Sequence, residues 1–171
     1  MHLTVELTYP ASVDEVATML ADESFVRWRA GRRADGGTVE QADVTGTPET
    51  GFTVAVRRTL PTDLIPAHAR PFVGSEVEIR QAEAWEPPAG ERRVGTVAVE
   101  IPGAPVRVTG TVCLEPLPGG GTRHVYDGDV RASVPLFASV IEEATAGAVR
   151  STLESEGDAV RQWLTERGRE Q

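Results

Sequence analysis

Between residues 38 and 132 the chain is a succession of short segments in which apolar and polar residues alternate. In one of them Phe52, Val54 and Val56 share one parity, and mainly small or polar residues occupy the other. Alternation with a period of two is typical of a strand with one buried face. Turns rich in glycine and proline, at residues 86–90, 102–105 and 118–121, separate the later segments. The pattern predicts an antiparallel meander of six strands, which few folds other than a curved sheet can accommodate.

Different patterns flank the meander. Residues 3–9 alternate like a further strand, and Ser12 with Glu15 forms the capping box that begins a helix. Asp22 caps a second short helix. From Leu136 to about Arg167 there is no proline and apolar residues recur at helical spacing, which predicts one long helix.

Glycine and alanine residues bear on the predicted fold at two places: inside the strands and in the middle of the long helix. Gly74, Gly95, Gly110 and Gly128 fall inside predicted strands, where glycine often marks a bend, so the sheet should be strongly curved. In the middle of the long helix Ala144, Gly147 and Ala148 lie at helical spacing. Small residues there allow either a close approach of the helix to the sheet or an empty space beneath the helix.

The order of elements is a strand, two short helices, six strands and a long helix. Together with the opening Tyr9-Pro10-Ala11-Ser12-Val13-Asp14-Glu15-Val16, it resembles the helix-grip fold of the START (SRPBCC) superfamily. That superfamily includes lipid-transfer domains, plant pathogenesis-related allergens and polyketide aromatase/cyclases. Leu60-Pro61 and Val134-Pro135-Leu136-Phe137 look like an uncharacterised bacterial branch. The resemblance implies an α+β fold in which the long helix crosses the concave face of a curved seven-stranded antiparallel sheet, enclosing an apolar cavity. It implies no particular ligand and no catalytic residues.

Composition excludes several classes of function. The 17 Arg and Lys against 26 Asp and Glu give a net charge of −9, which argues against a nucleic-acid partner. The longest uncharged run, 132–141, is far shorter than the ~20 apolar residues of a membrane span, so no stable membrane insertion is expected. Cys113 is the only cysteine, and none of the three histidines has a second ligand at metal spacing, so neither a metal nor another cofactor is expected. With no visible signal peptide, a cytoplasmic location is expected.

Strand parity and helix spacing nominate the residues of a ligand-binding cavity. Val54, Val77, Val99 and Val108 are expected to line it from the sheet, and Leu64 and Ile65 to border its mouth from the loop 61–72. The helix contributes the last three nominated wall residues: Ile141, Ala144 and Ala148.

Three polar residues also fall on the inward parity. Arg58 is expected either to hold a ligand carboxylate or to extend from its strand end to water. His124 and Tyr126 are either hydrogen-bond anchors, an acid/base pair, or polar groups satisfied within the core. Glu83 shares the parity but lies near a strand end, where water access is expected.

We therefore expect a single domain over residues 1–167 with a frayed tail at 168–171. Its expected function is to bind a small hydrophobic or amphipathic ligand such as a lipid, polyketide or isoprenoid, rather than to catalyse a reaction. Two alternatives stay open: a polyketide cyclase/dehydratase-like enzyme using Arg58, His124 and Tyr126, and a filled-core structural or protein-interaction domain. The oligomeric state is left open.

Overall fold

The computed structural model describes residues 1–32, 37–64, 67, 70–72 and 74–167, except for the side chains of Leu64 and Phe72. Seven strands form one antiparallel sheet in the order β1-β7-β6-β5-β4-β3-β2. The strands are β1 His2–Tyr9, β2 Thr38–Thr47, β3 Gly51–Pro61, β4 Glu76–Trp85, β5 Arg93–Glu100, β6 Val106–Pro116 and β7 Thr122–Ala132. The helices are α1 Val13–Leu20, α2 Glu23–Gly31 and α3 Ala138–Arg167. The predicted fold is confirmed: a curved antiparallel sheet gripped by a long C-terminal helix.

Local chemistry explains the start of α1. The Glu15 amide donates to the Ser12 hydroxyl at 3.2 Å, and the Ser12 amide donates to the Glu15 carboxylate at 2.8 Å. This reciprocal pair satisfies two amides that a helix N-terminus would otherwise leave without partners. The apolar face of α1 then buries Val16 and Leu20 in the core.

The long helix begins two residues later than predicted. Leu136 has a φ of +68°, in the left-handed region that an L residue enters at a cost, so the helix begins only at Ala138. Glu142 fixes this end to the sheet, because its carboxylate accepts from the Ala132 amide at 3.0 Å.

Glycines allow neighbouring strands to approach closely in the middle of the sheet. Gly110 and Gly128 are directly paired, and a β-carbon on Gly110 would lie 2.4 Å from the Asp127 carbonyl oxygen. Gly95 approaches the β4 backbone in the same way. The expectation for Gly74 was wrong: β4 begins only at Glu76, so Gly74 precedes the strand.

The parity of the strands is as predicted. Val54, Val56 and Val77 are buried on the concave face, whereas Thr53 and Arg57 on β3 are exposed on the convex face. No helix in the described part of the chain has the length and apolar character that a membrane span needs.

Candidate functional site

The three helices cover the concave face unevenly. α3 packs on β1, β7 and α2, while α2 packs mainly on β2 and also contacts β3. Within the described part of the chain, no helix packs extensively on β4 or β5. The helix backbones therefore come closest to the sheet at its two sides and, through α1, at β6, while long side chains such as Arg29 extend over β4.

Three valines on the concave face of β5 and β6 keep some exposure to solvent. Val97, Val99 and Val108 lie on interior strands and point inward, yet they are partly exposed, whereas Val54 on the same face is buried. Because β5 and β6 have a neighbouring strand on each side, this exposure comes from the face of the sheet rather than from an edge. Val99 and Val108 are direct cross-strand partners, so together they form one apolar wall.

A buried polar cluster lies beside that wall, with Glu83 on β4 at its centre. Its side chain is only 1% exposed. The Trp85 indole N–H donates to one Glu83 oxygen at 3.1 Å, and the Gln81 amide donates to the other at 3.0 Å. The expectation that water would reach Glu83 was wrong, because these side chains and Arg29 of α2 surround it instead of solvent.

Arg29 joins this carboxylate to α3. Its guanidinium lies 3.9 Å from Glu83 Oε1 and 3.8 Å from Glu156 Oε2, and the residue is almost completely buried. Burial by itself would lower the pKa of Arg29, but the Glu156 and Glu83 carboxylates raise that pKa above its ordinary value. The cluster therefore holds one permanent positive charge between two carboxyl groups.

The other half of the cluster is aromatic. The Tyr9 hydroxyl lies 3.4 Å from His124 Nδ1, and the His124 ring is 4.3 Å from the Tyr126 ring, centre to centre. Burial first, and then the positive charge of Arg29, lower the pKa of His124 to about 3, so the ring is neutral at physiological pH. Burial raises the pKa of both tyrosines, so their hydroxyls stay protonated.

Two buried atoms of the cluster have no hydrogen-bond partner among the described residues: His124 Nε2 and Glu156 Oε2. A buried polar atom without a partner costs about 1–3 kcal/mol. Such a cost is an exception in a folded protein and calls for a specific explanation.

The structure places most of the nominated cavity residues on the concave side. The buried ones are Val54, Arg58, Val77, His124, Tyr126 and Ile141. Val99, Val108 and Ala144 are partly exposed. Ile65 and the side chain of Leu64, which were expected to border the mouth, lie outside the described residues, as do residues 66, 68 and 69 of the same loop.

Ala148 is the clear error among the helix positions, because it is exposed and does not face the sheet. Leu153 and Val160 are buried and define the inward face of α3. Ala148 falls just outside the edge of the broad face that the buried positions of α3 span, which are Ile141, Ala146, Leu153, Gly157, Ala159 and Val160. Gly147 is exposed as well, and the small residue that approaches the sheet closely is Gly157, against Leu7.

Sequence reasoning missed Arg29 and Glu156 as site residues. Both carried a signal: each is a charged residue on the apolar face of its helix, Arg29 beside Phe25 and Val26, and Glu156 between Leu153 and Val160. A charge at such a position needs a buried partner. Spacing along one helix does not show where that partner lies.

Two further observations concern a possible metal site and a second surface feature. Among the described residues, no group of three or more His, Cys, Asp or Glu side chains is arranged to hold a metal ion. A surface groove of about 470 Å³ lies at the β5–β6 turn, between Ile101, Arg107 and Arg131, and shares no residue with the nominated cavity wall.

Comparison with solved structures finds other proteins that have the same architecture. Protein TTHA0849 from Thermus thermophilus superposes with a TM-score of 0.60 at 16% identity, covering 98% of this chain and 99% of that one. An aromatase/cyclase from Streptomyces sp. R1128 gives 0.60 at 16% identity, covering 98% and 94%. A point mutant of norcoclaurine synthase from Thalictrum flavum gives 0.59 at 17% identity, covering 98% and 96%. At these identities the likeness shows the fold alone, and it confirms the helix-grip architecture.

Sequence comparison gives the family. No curated protein matches the chain. A family model described as a protein of unknown function (DUF2505) matches residues 4–164. The chain therefore belongs to the DUF2505 family, whose fold is that of the helix-grip proteins.

Proposed function

We propose that this protein binds a small amphipathic molecule between the concave face of the sheet and α3, and that it does so in the cytoplasm as a single domain over residues 1–167. One observation carries the proposal. Val97, at one end of the partly exposed valine wall, is the direct cross-strand partner of Glu83, and the cluster around Glu83 holds two buried atoms, His124 Nε2 and Glu156 Oε2, that lack hydrogen-bond partners among the described residues.

The two halves of the site match the two halves of such a ligand. Small-molecule sites are mostly apolar, with a few placed polar groups that fix orientation. Val97, Val99 and Val108 provide apolar surface, while His124 and Glu156 provide unused hydrogen-bonding capacity. A packed structural core would instead bury its valines and pair its polar atoms.

The test uses a matched pair of tryptophan substitutions on β6. Val108→Trp adds bulk to the concave wall, and Thr109→Trp adds the same bulk at an exposed position on the convex face. A fluorescent apolar dye should bind the native protein and Thr109→Trp, and Val108→Trp should lose most of that binding while keeping its far-UV circular dichroism.

Native mass spectrometry of freshly purified protein adds a second readout, a retained small molecule in the native protein that is absent from Val108→Trp. If the dye does not bind the native protein, or if Val108→Trp unfolds it where Thr109→Trp does not, the centre is already packed. The filled-core alternative would then hold.

A cyclase/dehydratase-like activity is the second candidate, favoured by the neighbouring rings of His124 and Tyr126 in a buried site. A neutral imidazole can accept a proton and a tyrosine hydroxyl can donate one. Arg58, the third residue nominated for this chemistry, lies on β3, which β4, β5 and β6 separate from β7. The test is turnover of a poly-β-ketone substrate by the native protein, with loss in Tyr126→Phe. Binding without turnover would leave the binding function alone.

A further inference from the structure

The polar end of the proposed ligand can be specified further, and this step rests on the proposed function. His124 Nε2 and Glu156 Oε2 belong to one network, because Arg29 is paired with Glu156 and its charge also acts on His124 and on Tyr9, which contacts His124. His124 is 1% exposed, so water outside the protein does not reach its ring. The identity of the buried end is therefore set by what these two atoms accept or donate.

A carboxylate or phosphate end does not fit. Arg29 offers one positive charge to two carboxyl groups, Glu83 and Glu156, so a further anion would meet an excess of negative charge. The other two buried arginines on this face do not correct this. Arg93 is held by Asp14 at 2.9 Å, and Arg58 lies four residues along β3 from the partner of Glu83, or about 13 Å.

An ammonium end fits only in part. It can donate to Glu156 Oε2, but it accepts nothing, so it satisfies His124 Nε2 only in the tautomer that carries its proton on Nδ1. It also loses the strong hydration of a full charge on entering a buried site.

A hydroxyl group meets both requirements. Its O–H can donate to a carboxylate oxygen, and the same oxygen can accept from an imidazole N–H or, with the other tautomer, its proton can be shared with the ring. It carries no charge, so it is the cheapest of the three to desolvate. We infer that the ligand of this protein enters with an alcohol or phenol hydroxyl at its buried end and its apolar body along the valine wall.

The experiment compares four probes that are each built on an eight-carbon chain: octanol, octyl methyl ether, octylamine and octanoate. Each is measured by displacement of the bound apolar dye. Octanol should bind about tenfold more tightly than octanoate and than the ether, the factor expected for one buried hydrogen bond to a charged group. The ether is the critical comparison, because it is more apolar than octanol and would bind better if only apolar contact mattered.

A matched pair of variants on α3 ties the preference to the site. Glu156→Leu should abolish the advantage of octanol over the ether, whereas Glu154→Leu, two residues away and exposed, should retain it. Should Glu156→Leu fail to fold, the ranking of the four probes on the native protein decides alone.

The outcomes separate the two proposals. Equal or tighter binding of the ether, of octylamine or of octanoate overturns the hydroxyl assignment and leaves ligand binding in place. An equal effect of Glu154→Leu and Glu156→Leu also overturns it. If the dye does not bind the native protein, the proposed function fails together with this inference.

Discussion

Replacing Arg29 with methionine should destabilise the protein strongly. The guanidinium lies between Glu83 and Glu156 at 3.9 and 3.8 Å, and its side chain is only 5% exposed. Removing it leaves the buried carboxyl group of Glu83 and the largely buried one of Glu156 without a counter-charge, and removing one partner of a buried ion pair typically costs about 3–5 kcal/mol. That is a large part of the roughly 5–15 kcal/mol by which domains are stable.

Urea denaturation followed by circular dichroism measures this loss. With a slope of about 2 kcal/mol per molar urea, the midpoint for Arg29→Met should fall by about 2 M. Arg27→Met is the matched control on the same helix. Arg27 forms an exposed ion pair with Glu23 at 3.6 Å and donates a long hydrogen bond to the Ala42 carbonyl oxygen at 3.4 Å, so its loss should cost only about 1 kcal/mol.

Neutralising both partners separates charge from packing. Adding Glu83→Gln and Glu156→Gln to Arg29→Met removes the uncompensated charge and should recover most of the lost stability, since residues in one network are strongly coupled. A loss below about 1 kcal/mol for Arg29→Met alone would refute the reasoning, because the carboxyl groups would then not depend on this counter-charge. So would a triple variant no more stable than the single one.

Four further outcomes are expected. His124 has a pKa of about 3 when folded and 6.5 ordinarily, so the unfolded chain binds more protons between these values; the unfolding free energy should fall as pH drops from 6.5 towards 3, and less steeply in His124→Gln. Cys113 is partly exposed on the convex face and should react with a thiol reagent without denaturant; protection until urea is added would contradict this placement. Gly110→Ala should destabilise the protein by more than about 1 kcal/mol, because its β-carbon would lie 2.4 Å from the Asp127 carbonyl oxygen. Gly147→Ala, exposed with open space around it, should stabilise α3 by about 0.5–1 kcal/mol. A raised melting temperature for Gly110→Ala, or a lowered one for Gly147→Ala, would contradict the corresponding assignment.

The sheet could be predicted from sequence almost completely, because a strand has a fixed period of two. Once Phe52 and Val54 were assigned inward, the inward direction of Arg58 followed, and the same argument placed His124 and Tyr126. It was harder to predict from the sequence which side of α3 faces the sheet. α3 has apolar or small residues on two sides, and only its packing on β1 and β7 shows which side faces inward.

The polar cluster could be predicted only in part. Glu83, Arg29 and Glu156 come from a strand and two helices far apart in sequence. Glu83 was expected to reach water, and the two helix residues were not nominated. The pairing that makes their burial acceptable exists only after the helices dock on the sheet. Local patterns therefore found the cluster's aromatic members and missed its charges.

The strand order has a consequence for how the chain reaches its folded state. β2 to β7 are joined as successive neighbours, so each can pair with the strand synthesised just before it. β1 is different: His2 pairs with Asp129 and Tyr9 with Thr122, across more than a hundred residues. During synthesis the N-terminal strand must therefore wait for nearly the whole chain before its edge is paired, and α3, which packs on that late pair, is synthesised later still. Closure of such long-range contacts is slow, so the final docking of β1 and α3 should limit the folding rate.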